Sequence, residues 1–181
     1  MPFYSNSGQG TVVHTTGGFY DQGKILANDG SDLTSTTLAT QSDLSIPVAG
    51  YERVMGVYNI WYDSDNTNEL KFRVANLDAD AAAIATTIYT DVTARAEEST
   101  AADTPAAANI EGTGTYSTDG AGEIITVDVG ADTSGLFLKV EFNAIITAAT
   151  RGNIVFQAAL ITGTASGTHL LAGSHVQYKK W

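Results

Sequence analysis

Hydrophobic and polar residues alternate along much of the C-terminal part of the chain. Alternation with a period of two is typical of β-strands that bury one face. Turn-forming residues at 150–152 and 163–167 separate the alternating segments. We therefore predict three strands, the last of which brings the C-terminal Trp181 into the folded body. Their sequences are LFLKVEFNAIIT at 136–147, NIVFQAALI at 153–161 and LLAGSHVQYKK at 170–180.

The middle of the chain predicts a β-hairpin. In residues 52–61, large apolar residues fall on both faces of an extended strand, which favours a strand that is at least partly covered on both sides. In residues 70–75, Leu70, Phe72 and Val74 alternate with Lys71, Arg73 and Ala75, as in a half-buried strand. A polar cluster between the two segments is typical of a turn, so we expect them to pair.

The remaining segments indicate further strands but no helix of useful length. Residues 84–94 are β-branched and predict a strand, whereas residues 96–109 lack large apolar residues and predict an exposed loop. A turn at 118–122 precedes a predicted strand at 124–129. Without crossover helices, parallel βαβ units are excluded. The chain is therefore expected to be all-β, an antiparallel β-sandwich or jelly roll of about eight or nine strands.

Residues 1–43 differ from the rest, and we interpret them as an extended N-terminal arm on a β-sandwich body at 44–181. The arm is rich in Gly, Thr, Ser, Asn and Asp and cannot build a core of its own. It nevertheless carries apolar pairs, which we expect to dock on a neighbouring subunit or on the chain's own body. The alternative is a poorly ordered tail. The predicted partner-binding residues are Val12, Val13, Phe19, Tyr20, Ile25 and Leu26.

Composition narrows the class of protein. The 181 residues suit one domain with an arm, and only 16% of them are charged. A formal net charge of −11 disfavours binding to nucleic acid or to anionic membranes. There is no cysteine, and hence no disulfide or thiolate metal site. The N-terminus lacks the pattern of a signal peptide, so we expect synthesis in the cytoplasm.

Candidate chemistry is sparse. The loop from Asp63 to Glu69 is rich in residues with side-chain oxygen atoms. Such a loop can bind calcium or form an ordinary polar turn, and both alternatives stay open. The central glycine of an EF-hand loop is missing. His169 and His175 would lie about 20 Å apart on one unbroken strand, too far to share a metal. The pair Glu97–Glu98 falls in the predicted polar loop, and no G-x-S-x-G motif occurs. We therefore expect no catalytic residue, no cofactor and no enzymatic activity.

Aromatic residues are spread over the predicted strands and suit a sandwich core or a subunit interface. Exposed rings could instead stack on carbohydrate. The residues concerned are Tyr51, Tyr58, Trp61, Tyr62, Tyr89, Tyr116, Tyr178 and Trp181.

The terminal segment resembles a pattern found in virion proteins of tailed bacteriophages. The matching parts are Gly152 to Ala158 (GNIVFQA) and Leu170 to Trp181, which contains Ala172-Gly173-Ser174 and Tyr178-Lys179-Lys180. The usual pattern has a longer polar insert before the closing strand, where this chain has the short loop GTASG at 163–167.

The resemblance implies a structural protein, most similar to a capsid decoration (cement) protein. Such proteins bind the outer capsid surface as trimers or dimers and clamp neighbouring coat subunits, which would make the major capsid protein the partner and a homotrimer the favoured form. The chain is short for a tail fibre, and it lacks the long helix of a phage coat protein. Two alternatives stay open: a tail or fibre-tip component that binds host glycan, and a cellular carbohydrate-binding module or glycan-active enzyme.

Overall fold

The computed structural model describes residues 11–12, 20–63, 70–98, 109–111, 115–128, 133–161 and 168–181. These residues form two antiparallel sheets, and the only helical element among them is a 3₁₀ turn at Ser42–Leu44. The larger sheet contains β1 (Thr11–Val12), β2 (Gln22–Ile25), β5 (Arg53–Asp63), β7 (Thr86–Glu98), β9 (Thr115–Ser117), β11 (Thr133–Ile146), β13 (His169–Leu170) and β14 (His175–Lys180). The smaller sheet contains β3 (Ala39–Thr40), β4 (Ile46–Val48), β6 (Leu70–Leu77), β8 (Asn109–Glu111), β10 (Ile125–Asp128) and β12 (Gly152–Leu160).

The prediction of an all-β sandwich is confirmed. Of the fourteen strands in the described part of the chain, eight are at least four residues long. The other six have two or three residues and were not foreseen as separate strands.

The strands pair in a nested order. The outermost pair joins β2 to β14, the next joins β3 and β4 to β12, the third joins β5 to β11, and the innermost joins β6 to β10. Within this nested set the first strand, β2, therefore lies beside the last, β14, and the two innermost strands, β6 and β10, lie beside each other. This nesting of antiparallel pairs across two sheets is the order of a jelly roll. Strand β7 lies outside the nested set and extends the larger sheet beyond β11.

The core lies between the inner faces of the two sheets. On β5, Val54, Tyr58, Ile60 and Tyr62 point inward and are buried, as the period-two pattern predicts. A row of rings crosses the core from one sheet to the other through Phe142, Tyr58, Phe156 and Phe72, with neighbouring centroids 5.3–5.5 Å apart. Such contacts between rings add to the free energy gained from burying the sheets.

The predicted hairpin of residues 52–61 and 70–75 is wrong. Strand β5 lies in the larger sheet between β14 and β11, whereas β6 lies in the smaller sheet between β12 and β10. The polar segment between them connects the two sheets instead of reversing the chain within one. Alternation predicted the buried face of β6 correctly, but it contains no information on which strands pair.

Two strand limits also differ from expectation. Residues 96–98, predicted as part of a loop, belong to β7, where Glu97 and Glu98 lie opposite Gly135 and Thr133 of β11. The closing segment is not one strand, because a turn with Gly173 at φ 92° separates β13 from β14. His169 and His175 consequently lie opposite Asp63 and Asn59, which are four residues apart on β5.

Part of the predicted arm belongs to the body. Strand β2 pairs with β14, β3 pairs with β12, and both Leu26 and Leu33 lie in the main core. Backbone hydrogen bonds from Leu26 N to Ser174 O and from Leu33 N to Thr168 O hold the segment between these strands. That the arm binds a neighbouring subunit stays a prediction.

Candidate functional site

Exposed aromatic side chains concentrate on the outer face of the larger sheet. Because successive side chains of a strand alternate between faces, the buried residues Ile88, Thr90 and Val92 of β7 leave Tyr89 and Asp91 pointing outward. On β11, burial of Val140, Phe142 and Ala144 likewise turns Glu141 and Asn143 outward. The register of β7 and β11 places Tyr89 opposite Asn143 and Asp91 opposite Glu141.

Tyr89 and Tyr116 form the most exposed ring pair of this face. They are opposite residues of β7 and β9, with ring centroids 4.9 Å apart and planes inclined at 46°. Their exposed fractions are 47% and 52%. A tilted pair of half-exposed rings offers a broad apolar platform to a ligand, because neither ring is covered by its neighbour.

A second aromatic group lies further along the same face. The Trp61 ring is 5.1 Å from Phe137 and 5.6 Å from the His175 imidazole, between centroids. His175 Nδ1 lies 3.0 Å from Gly173 O and Nε2 lies 3.2 Å from Asn59 Nδ2. Since a carbonyl only accepts, Nδ1 donates to Gly173 O, and Nε2 contacts the Asn59 amide. His175 thus holds the turn before β14 against β5.

A groove of about 390 Å³ lies beside the Tyr89–Tyr116 pair. Met55, Asp91, Glu141 and Asn143 contribute to its walls together with Tyr20 and Tyr89. Burial and the nearby Glu141 carboxylate raise the pKa of the Tyr20 hydroxyl. The groove therefore combines apolar surfaces with carboxylate and amide groups.

Lys139 and Glu141 form an ion pair at the edge of this groove. Lys139 Nζ lies 2.7 Å from Glu141 Oε1, and this hydrogen bond raises the pKa of the ammonium group. The lysine thereby neutralises part of the negative charge contributed by Asp91 and Glu141.

The structure separates the six residues predicted to bind a partner. Val12 belongs to β1, Ile25 ends β2 and is partly exposed, and Tyr20 contributes to the groove. Leu26 is buried in the chain's own core. Val13 and Phe19 lie outside the described residues.

The candidate calcium loop lies largely outside the described residues, since only Asp63, at the end of β5, is described. Within the described ranges, no three His, Asp or Glu residues are grouped so as to hold a metal ion. His169 Nδ1 lies 3.3 Å from Asp32 Oδ1, and His14 falls outside the described part of the chain. The described residues contain no helix that is long and apolar enough to span a membrane.

The residues that carry the resemblance to virion proteins have structural roles here. Strand β12 lies inside the smaller sheet, between β6 and the short strands β3 and β4, with residues 154–160 all buried. In the Ala172-Gly173-Ser174 motif, the buried Ser174 hydroxyl accepts from Trp61 N at 3.0 Å and donates to Trp61 O at 3.1 Å. The motif therefore fixes the turn between β13 and β14 onto β5.

Sequence reasoning named the exposed rings but could not separate them from the core rings. Of the eight Tyr and Trp residues singled out, Tyr58, Tyr62 and Tyr178 are buried, and the other five are at least 36% exposed. The alternation within β5 and β7 was the available signal. It does not show which face of a strand turns outward when both faces carry apolar residues.

Comparisons with known proteins identify no family. No protein-family model matches the chain, and no curated protein matches it. Among solved structures, the chain is similar to the one titled "Structure of infectious bursal disease virus Gx strain", at 11% sequence identity and a TM-score of 0.24. The match covers 99% of this chain and 45% of the other, so this chain spans less than half of that protein's length.

Proposed function

We propose that this chain is a non-enzymatic structural protein of a virion that binds the outer capsid surface as an oligomer, favoured as a trimer, and clamps neighbouring coat subunits. The observation that carries the proposal is the terminal segment that resembles phage virion proteins. In this chain that segment supplies β12 and β14, one strand near the middle of each sheet. The resemblance therefore concerns the framework of the fold and not a peripheral loop.

The strand order is compatible with this role. Jelly rolls occur in viral capsid proteins, but also in lectin domains. A fold alone does not establish a function, so the strand order supports the proposal only by analogy.

Such a protein stabilises the shell because its binding is coupled to shell assembly. A protein that binds the assembled shell and not its separated subunits stabilises the shell in proportion to the occupancy of its sites. Several weak contacts on one oligomer act together, because the first contact raises the effective concentration of the others. No reactive group is required.

Exposed aromatic residues at one end of the larger sheet suit contact with a coat subunit or a second copy. Trp181 exchanges backbone hydrogen bonds with Arg53, which starts β5, and Tyr51 lies two residues before Arg53. Trp181 is 54% exposed and Tyr51 72% exposed. Tyr and Trp are enriched in protein interfaces, where they supply large contact areas.

The test is binding of the purified chain to expanded capsids of the virus that encodes it, prepared without this protein. Co-sedimentation should saturate at a fixed number of copies per shell, and cryo-electron microscopy should show density on the outside of the shell. A chain absent from purified particles, or found only in isolated tails, would contradict the proposal.

The role of the arm needs a truncation that spares the body. Removing residues 1–43 would also remove β2, β3 and the core residues Leu26 and Leu33. A variant that starts at Tyr20 keeps these elements. If the arm binds coat subunits, this variant should keep its melting temperature but occupy fewer sites on the shell. Equal occupancy would assign the contact to the body.

A second candidate is a tail or fibre-tip component that binds host glycan. The exposed Tyr89–Tyr116 pair favours it. Mass spectrometry of separated heads and tails distinguishes this candidate from the first.

A further inference from the structure

We propose that the groove beside the Tyr89–Tyr116 pair binds an uncharged saccharide, which stacks on the two tyrosine rings and is held by polar groups of β7 and β11. The proposal does not depend on where in a virion the chain resides. A chain that never contacts a capsid could still bind a saccharide in this way.

The platform consists of the two tyrosine rings. One face of a pyranose ring presents aliphatic C–H groups, and the electron-rich face of an aromatic ring attracts them. Tyr89 and Tyr116 are about half exposed, and their rings support each other at 4.9 Å between centroids. Both lie on paired strands, so their positions are held by the sheet before a ligand arrives.

Polar groups lie next to this platform. Asn143 is opposite Tyr89 across the β7–β11 ladder, and Asp91 is opposite Glu141 one outward position further along. Opposite Cβ atoms in a sheet lie about 4.5–5.5 Å apart, and outward positions on one strand about 7 Å apart. Carboxylates accept hydrogen bonds from hydroxyl groups, and an amide both donates and accepts. Neighbouring hydroxyl groups of one sugar ring therefore meet suitable partners.

Charge decides which saccharide fits. The groove carries Asp91 and Glu141, Lys139 is paired with Glu141 at 2.7 Å, and the whole chain has a net charge of −11. Sialylated, sulfated or uronic saccharides would be repelled. The groove volume of about 390 Å³ falls within the range of small-molecule sites.

The same charges argue against a second copy as the occupant. An isologous interface centred on this groove would bring Asp91 and Glu141 of one copy towards those of the other. Like charges that face each other across an interface are costly. An uncharged polyhydroxylated ligand can donate hydrogen bonds to the carboxylates without adding charge.

The test starts from an array of oligosaccharides built on glucose, galactose, mannose and N-acetylglucosamine, with sialylated and sulfated glycans on the same array. The full chain should bind at least one uncharged oligosaccharide. It should bind no sialylated or sulfated glycan more strongly than the uncharged ones. Titration calorimetry with the best uncharged oligosaccharide then compares variants. Tyr89→Ala and Tyr116→Ala should each weaken binding by about tenfold or more, as expected when one stacking ring is lost.

Matched variants separate stacking from general effects. Tyr89→Phe keeps the ring and should bind within about threefold of the wild type, since only the hydroxyl is lost. Trp181→Ala removes an exposed aromatic that does not line the groove and should leave binding unchanged. Thermal melts of all variants check that each is folded.

Three outcomes would overturn the proposal. These are absence of binding to every uncharged glycan on the array, unchanged affinity in both tyrosine-to-alanine variants, and a preference for charged glycans. A dimer that forms in sedimentation experiments and is lost in Tyr89→Ala would instead assign the groove to contact between copies, and would also overturn it.

Discussion

The outer faces of the two sheets are built from similar alternating strands, yet they differ in exposure. On the smaller sheet, Ala75, Leu77 and Val155 form a separate apolar cluster and are at most 5% exposed. On the larger sheet, Tyr89 and Tyr116 are about half exposed. Within the described ranges, the larger sheet thus offers the aromatic surface, and a binding partner is best sought there.

Loops of the smaller sheet's own strands account for part of this difference. Gly120 O accepts from Asn76 N at 2.8 Å, and Ile84 N donates to Asn76 O at 2.9 Å, so that two loops pair with the backbone of β6 near its end. Asp78 stabilises the second loop by accepting from Ala82 N. Part of the outer face of the smaller sheet is therefore buried within the chain, whereas Tyr89 and Tyr116 on the larger sheet are exposed to solvent.

The largest expected effect contrasts the inner and outer sides of the sandwich. Phe156→Ala removes a fully buried ring that contacts both Tyr58 and Phe72, and should lower the free energy of unfolding by about 3–5 kcal/mol. Phe137→Ala, on the outer face beside Trp61, should cost about 1 kcal/mol. Urea denaturation of both variants measures the difference. Equal losses would mean that the outer ring is as buried as the inner one.

The next prediction uses two glycines to test how tightly the loop that contains Gly120 packs against Ile84. Gly120 and Gly173 both have positive φ, at 82° and 92°, so alanine costs about 1–2 kcal/mol at either position through backbone strain. A Cβ at Gly120 would lie 1.9 Å from Ile84 O, whereas one at Gly173 would have no atom within 4 Å. Gly120→Ala should therefore cost about 3 kcal/mol or more in total, because overpacking adds to the strain. Similar melting temperatures for the two variants would contradict tight packing of Gly120 against Ile84.

A smaller loss of stability is expected when the Ser174 side chain, which bonds to β5 of the larger sheet, is removed. Ser174→Ala leaves the Trp61 backbone N–H without the buried hydroxyl that accepts from it, and should cost about 1–3 kcal/mol. The exposed Ser31→Ala is the control and should change stability by less than about 0.5 kcal/mol. Urea denaturation again provides the measurement, and a neutral Ser174→Ala would show that the turn is held by its backbone bonds alone.

The smallest expected effect is the pH dependence of stability that comes from Asp119, in the loop before β10. Asp119 accepts from Ser117 Oγ at 2.7 Å and from Ala121 N at 2.8 Å, and these bonds lower the pKa of its carboxyl group. Because the folded-state pKa lies below the unfolded one, the associated stability is present above the unfolded pKa. It is lost as the pH falls through the lowered folded-state pKa.

The check is a carboxyl-carbon NMR titration. Ser117→Ala should raise the Asp119 pKa towards its ordinary value, whereas the exposed Thr118→Ala should leave it unchanged. An unchanged Asp119 pKa in Ser117→Ala would mean that the backbone N–H of Ala121 alone sets it. Asp119 is exposed, so its contribution to overall stability should be minor.

The amino-acid sequence by itself determined the fold class and much of the burial. Alternation placed Leu70, Phe72 and Val74 on one face of a strand, and these side chains are indeed in the core. A period of two reports which face of a strand is buried, because apolar side chains leave water wherever a second layer is available. The acidic composition and the resemblance of the terminal segment were equally available from the residues alone.

Only the tertiary structure decided which strands pair and which rings face solvent. A polar connector serves a hairpin and a crossing between sheets equally well, so the segment after β5 could not reveal that β6 lies in the opposite sheet. In the same way, Tyr58 and Tyr89 both lie in predicted strands, yet one is buried between the sheets and the other is exposed. Local patterning is a property of single strands, whereas pairing depends on contacts between residues far apart in the chain, and those form only when the whole sandwich closes.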